Sequence, residues 1–354
     1  MSGIIKFAAN RVWRTYQGGK LLDEMQKKAC PADSSFPEDW IGSMVQATNA
    51  GREALSEGLS MITSESGELT PFKSLVLSEP DFYLGQDCEV EDVPLVKYLD
   101  SATRLHFQVH PSREFAKQRL GSSRGKTEAY VILAIRDDIQ QPYIYAGFQR
   151  PPSRKQLKSW IEQQNIDEIE GCFDKIPVKP GDVFLIPGGR PHALGEGILM
   201  LEIMEPSDLA VRFEFERCGY VIPEAARFMN RDIETALDVF DFSPVTGESI
   251  DSTFRCSPEL ILDENGGNRL ESLIDSHHTP CFRVRRATTK GIFSRRETSC
   301  FYGIVAEGCG MIKTENQSLM LNQWDRFFCP AGVEAFSYHS DQNMTVLECY
   351  PGGL

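Results

Sequence analysis

The sequence predicts a mainly β fold of two tandem jelly-roll β-barrels with a few short helices, and three observations lead there. Apolar residues fall in runs of strand length broken by Gly and Pro, such as YVILAIR (130–136) and DVFLIP (182–187), the pattern of an antiparallel sandwich or barrel. One such run and its turn recur late in the chain, GDVFLIPGGRPHAL (181–194) against WDRFFCPAGVEAFS (324–337), which indicates an internal repeat. The length, 354 residues with 41% hydrophobic, exceeds what one apolar core usually serves.

In chain order, LHFQVHP (105–111) alternates, so a strand there places His106, Gln108 and His110 on one face and Leu105, Phe107 and Val109 on the other. YVILAIR and PYIYAGF (142–148) follow as strands. Pro151, Pro152 and Ser153 then open a helix over 154–164 with Leu157, Trp160 and Ile161 on one face. DVFLIP and GILMLEIM (197–204) are the next strands, and a second helix, opened by Pro223, is expected over 223–240, linking two halves. From Phe254 onward the short-strand rhythm resumes, and TVLECYP (345–351) answers LMLEIMEP (199–206). The expected division is therefore 1–240, a catalytic barrel with small helical segments, and 241–354, a barrel without metal ligands. The repeat carries His192 in its first copy and Ala335 in its second, which leaves the C-terminal half as a structural unit, or a wall and homodimer surface.

Composition narrows the function. A formal charge of −14 argues against nucleic acid, whose phosphates require a basic surface, and a phosphorylated substrate would need a local basic pocket. No apolar run reaches signal-peptide or membrane-span length, so a soluble cytoplasmic protein with no membrane partner is expected. The ten cysteines are scattered from Cys30 to Cys349 without a CxxC pair and read as reduced, mostly buried small hydrophobes.

The chemistry concentrates in three places. Gln and His on the inner face of a strand need partners, because burying such groups unpaired costs about 1–3 kcal/mol each, and a metal ion supplies one. Glu128 stands at the entrance to the strand that follows. His192 closes G-x5-P-x-G-x2-H, read here as Gly181, Pro187, Gly189 and His192, in which Gly and Pro make a tight turn that directs the histidine inward. Two imidazoles, a carboxylate and an amide oxygen form a mixed N/O shell suited to one Zn2+ per chain and acceptable to Mn, Fe, Co or Ni.

That last motif resembles the second motif of the cupin superfamily. Together, QVHP (108–111), GKTE (125–128), PGDVFLIPGGRPHALG (180–195) and SDLAVRFEFER (207–217) resemble the class I mannose-6-phosphate isomerases, and the likeness extends upstream to Trp13, FPEDW (36–40) and PLVKYLD (94–100). The resemblance implies a metal-dependent aldose–ketose isomerase acting on a small sugar phosphate, with Gln108, His110, Glu128 and His192 as metal ligands. It places catalytic and substrate-contacting basic groups on Lys126 and Arg212, with Lys97 nearby. A lysine at 97 in a dry, electropositive pocket would have a lowered pKa and could act as the proton-transfer base; Lys126 and a metal-bound water are alternatives.

The chain departs from the family pattern at MEPSD (204–208), at Arg190 and Pro191, and at His106, which stands in place of a small residue. Lys97, Arg190 and Glu205 are expected to contact the sugar. Pairing with Arg212 or Arg217 is the competing role for Glu202 and Glu205. These departures keep two other readings open, an isomerase or epimerase of another sugar, phosphorylated or not, and a non-catalytic sugar-binding cupin.

Overall fold

A computed structural model describes residues 3–63, 67–247, 249–264 and 266–352. The runs noted above become strands Glu128–Ile135, Tyr143–Ala146, Val183–Ile186 and Ile198–Met204. A six-stranded antiparallel sheet runs in the order Val183–Ile186, Glu128–Ile135, Ile198–Met204, Leu95–Asp100, Glu38–Ile41, Arg11–Val12. A five-stranded sheet runs Ile176–Pro177, Tyr143–Ala146, His192–Leu194, Gln108–Val109, Val211–Arg212. The two share one apolar cluster, in which Tyr130, Ile132 and Met200 of the first meet Ile144, Ala146 and Leu194 of the second. Burial on that scale drives the closure, at about 25 cal/mol per Å² of apolar surface removed from water.

The later residues build an eight-stranded sheet that includes Phe282–Arg296, Phe301–Lys313 and Ala335–Pro351. It also recruits Ile5–Lys6, which pairs with Arg326–Cys329. A second cluster joins the two units, with Phe7, Tyr98, Val131 and Leu201 packed among Tyr302, Phe328 and Leu347. The Tyr302 hydroxyl donates across this seam to the Gly42 carbonyl at 2.8 Å.

The two copies of the sequence repeat have different interiors. Where the first unit buries Glu202 beside Lys97 at 3.0 Å, the second buries Glu348, which accepts from Arg295 at 3.0 Å, Tyr338 at 3.0 Å and Tyr350 at 2.7 Å. Its polar centre is thus satisfied by its own side chains. Ala335, the counterpart of His192, is exposed.

Local chemistry explains the elements that frame the site. The helix Arg154–Gln163 starts on a capping box, Ser153 accepting from the Gln156 amide, and buries Leu157 and Ile161. Gly181 and Gly189 have φ of 90° and 93°, a region L side chains avoid. Gly188 allows close passage, since a Cβ there would sit 2.7 Å from the Ser112 Cα. The continuous helix expected over 223–240 is not formed. Met229 and Asn230 adopt φ of 55° and 57°, and this left-handed pair separates two short helices, Glu224–Arg227 and Ile233–Leu237. No helix among the described residues is long and apolar enough to cross a membrane.

Candidate metal centre and active site

Three strands deliver the metal-ligating residue types to one point. His192 lies opposite Gln108 in register, and Glu128 begins the long strand of the facing sheet. The coordinating atoms of His110, Glu128 and His192 lie within 4.8 Å of one another, and all three residues are buried. Among the described residues this is the one such group.

The ring tautomers are set by backbone. His110 Nδ1 lies 2.9 Å from the Leu209 carbonyl and His192 Nδ1 lies 2.9 Å from the Arg190 carbonyl. A carbonyl oxygen can only accept, so each Nδ1 donates and each Nε2 is turned inward. These Nε2 atoms meet the Glu128 carboxylate at 3.2 Å and 3.0 Å. Burial, reinforced by the Lys126 charge, pushes the His110 ring down to about 3, so it carries no proton to offer the carboxylate. Burial alone would raise Glu128, but the surrounding imidazoles and Lys126 outweigh it and hold its pKa well below the usual range. Glu128 Oε2 has no hydrogen-bond partner. His110 Nε2 faces Oε2 and His192 Nε2 faces Oε1, which also accepts from the Tyr130 hydroxyl, so lone pairs crowd together with the Lys126 ammonium at one edge, and a cation among them would relieve the repulsion. The donor set therefore fits a divalent metal. The Gln108 amide is 3.3 Å from His192 Nε2, and rotation of the amide offers its oxygen to the same point.

A pocket opens beside these residues, lined by Gln108, Lys126, Glu128, Arg212, Lys97 and Glu202. Lys126 Nζ is 3.2 Å from His110 Nε2 and 3.6 Å from Glu128. Arg212 is half-buried, donates to the Ala226 carbonyl at 3.4 Å, and makes no ion pair among the described residues. Its burial lowers its pKa against the pull of Asp208. His106 also lines the pocket. Its Nδ1 lies 3.0 Å from the Glu214 carbonyl, its Nε2 has no hydrogen bond, and burial pushes the ring down to about 4.

Three expectations are corrected. Lys97 is not in an electropositive setting, since its ammonium lies 3.1 Å from Glu38 and 3.0 Å from Glu202. Burial would lower it, but these carboxylates prevail and its pKa is raised, so it is a poor base. Arg190 turns away from the pocket to Asp241 and the Ser243 carbonyl, both at 3.0 Å. Glu205 is fully buried, pairs with Arg113 and accepts from the Thr127 amide at 2.9 Å, which uses both its oxygens. Neither Arg190 nor Glu205 lines the pocket.

Glu38, Arg14 and Asp208 in the pocket wall were not anticipated. Glu38 accepts from Arg14 at 2.9 Å and from Trp40 at 2.7 Å, and Arg14 also holds Asp208 at 3.0 Å. The only local signal for Glu38 was a carboxylate inside FPEDW, a segment with strand-like neighbours. Glu202, favoured in the sequence for an arginine, pairs with Lys97 instead. Its desolvation, with the Glu128 charge adding to it, outweighs Lys97 and pushes the carboxyl up to about 7. Replacing Lys97 with methionine leaves Glu38 and Glu202 facing each other without their shared cation. The expected cost is about 3–5 kcal/mol of folding stability, read by urea unfolding, and a variant as stable as the parent would contradict this arrangement.

No family model matches this sequence. Among curated proteins, it is 28% identical over 244 residues to a probable mannose-6-phosphate isomerase of Bacillus subtilis, covering 69% of this chain and 70% of the relative. A second mannose-6-phosphate isomerase of that organism is 35% identical over 124 residues, covering 35% and 37%. A mannose-6-phosphate isomerase of Streptococcus mutans is 26% identical over 249 residues, covering 70% and 71%. Among solved structures, the mannose 6-phosphate isomerase from Bacillus subtilis superposes with a TM-score of 0.74 at 21% identity over 98% of this chain and 99% of that one. A putative mannosephosphate isomerase from Archaeoglobus fulgidus gives 0.72 at 19% identity, covering 100% and 99%. These two superpositions establish the fold.

Proposed function

Because the chain belongs to the mannose-6-phosphate isomerase family of the cupins, we propose that it interconverts mannose 6-phosphate and fructose 6-phosphate, using one metal ion, Zn2+ by its donor set, held by Gln108, His110, Glu128 and His192. The observation that supports this best is the convergence of the Nε2 atoms of His110 and His192 on the two oxygens of the buried Glu128 carboxylate, beside Lys126 and Arg212 in one pocket. When bound, the metal supplies Lewis-acid polarisation of the sugar oxygens.

The chain's own residues carry the rest. The reaction removes the proton at C2 of the open-chain aldose and returns a proton to C1, while the hydroxyl proton at O2 is exchanged for one at O1. An enediolate lies between the two forms, and its negative charge is met by Lys126 and Arg212. We assign the proton transfer to Glu202, since a pocket carboxyl near neutrality can both accept and return a proton. Lys97 then acts as a positioning residue that orients it. Glu202→Gln is expected to lower kcat by about 10²-fold with KM little changed; unchanged kcat would remove Glu202 from this role. The C-terminal unit we read as a wall and support for the site, with homodimerisation as its accessory role and the cytoplasm as its setting.

The direct test is turnover of mannose 6-phosphate and free mannose by the purified chain, before and after chelation and after zinc is restored. The expected result is conversion of the phosphorylated sugar alone, lost with chelator and regained with zinc. Conversion of free mannose at a comparable rate would move the assignment to an unphosphorylated sugar. Metal binding without turnover of either sugar would move it to a binding module.

A further inference from the structure

We infer that His106 is a specificity-determining residue whose Nε2 accepts a hydrogen bond from a substrate hydroxyl at C3, C4 or C5, an inference that rests on the sugar-phosphate reading above. The ring is nearly fully buried, at 3% exposure, and lines the pocket. Its Nδ1 faces the Glu214 carbonyl at 3.0 Å, so that nitrogen holds the ring proton and Nε2 presents a lone pair. The Thr15 carbonyl is also close to the ring, yet it supplies no donor, and Nε2 is left without a hydrogen bond. A histidine kept for packing alone would have both nitrogens satisfied, as buried polar groups nearly always are. This one is satisfied only at Nδ1, by Glu214, a residue outside the pocket lining.

Chain direction says which part of the sugar it meets. Along an extended segment, residues two apart lie about 7 Å from one another on the same face, so His106 stands one such step beyond Gln108 and two beyond His110. If C1 and C2 lie at Gln108, His110, Glu128 and His192, His106 reaches a carbon further along. A lone pair repels phosphate oxygens and attracts hydroxyl protons, which excludes the phosphate and selects a hydroxyl. A site with a buried acceptor aimed at a hydroxyl discriminates against an analogue that lacks it.

The test compares kcat/KM for mannose 6-phosphate and its 3-, 4- and 5-deoxy forms in the zinc-loaded parent, His106→Leu and His106→Gln, with zinc content and thermal midpoint recorded for each. In the parent, one deoxy form should fall about tenfold or more below the intact sugar. That ratio should collapse to within about threefold in His106→Leu, and be partly kept in His106→Gln, whose amide oxygen can still accept. Equal loss for every analogue, or a ratio unchanged in a folded variant, overturns the inference. Should His106→Leu fail to fold, the Gln variant decides by whether its ratio differs from the parent's. No turnover of mannose 6-phosphate by the parent overturns the isomerase reading and this inference with it, whereas parental turnover with unchanged ratios overturns this inference alone.

Discussion

His192→Ala should lower kcat/KM for mannose 6-phosphate by about 10³-fold or more and leave the purified chain without stoichiometric metal. The magnitude reflects a metal's contribution of several kcal/mol to a transition state that carries charge on oxygen. The substitution removes one of two imidazoles whose bare Nε2 converges on Glu128, and His192 Nε2 is also the atom nearest the Gln108 amide. Two contacts are therefore lost at once. The backbone has little reason to move, because His192 sits in a short strand paired to neighbours on both sides, and Ala335 holds the equivalent place in the second unit. Metal analysis alongside kinetics checks this: full metal content with full activity would exclude His192 from the centre.

Arg212→Ala should cost about 10²–10³-fold in kcat/KM with metal content retained. The side chain is a cation near the coordinating cluster, in register with Gln108, and among the described residues its one hydrogen bond is to the Ala226 carbonyl at 3.4 Å. A guanidinium so placed has given up water without gaining a carboxylate partner, which is unfavourable to folding. Arg212→Met should accordingly leave the thermal midpoint unchanged or raised while activity falls. A structural arginine would show the opposite, a lowered midpoint with kinetics preserved in the folded fraction. Arg212→Lys, which keeps the charge but not the planar fork, should recover part of the rate.

The residues that could be read from sequence are those whose environment is local. Turn chemistry at Gly181, Pro187 and Gly189 aims His192 inward, and strand alternation brings His106 and Gln108 to the pocket wall, although Leu105, expected on the other face, lines it too. The strands at 130–136 and 182–187 were legible for the same reason. Lys97 shows where such rules stop. An apolar run announces that the side chain is inward, but the sign of its pKa shift depends on Glu38 and Glu202, which arrive on the two flanking strands of the sheet. Arg190 was beside the site in sequence only; the same turn that sends His192 inward sends its neighbour to Asp241. Glu205 follows the strand of Glu202, yet its oxygens are taken by Arg113 and the Thr127 amide, partners that no local pattern announces. The helix expected over 223–240 failed at two residues in the left-handed region, one of them Asn230, which tolerates it better than most.

The short strand Ile5–Lys6 bears on how the molecule comes into being. It hydrogen-bonds to Arg326–Cys329, and Lys6 is ion-paired to Asp325 at 2.5 Å. During synthesis this strand emerges long before its partner, and at roughly 5–20 residues per second it waits on the order of a quarter of a minute to a minute. The first barrel can gather its metal-ligating residues in that interval, since all four precede residue 200. The seam between units cannot close until the ribosome has nearly finished. A chain broken off early would then hold the whole donor set and leave the apolar face around Tyr98, Val131 and Leu201 uncovered, so stalled or nicked products should be recognised by proteases through that seam.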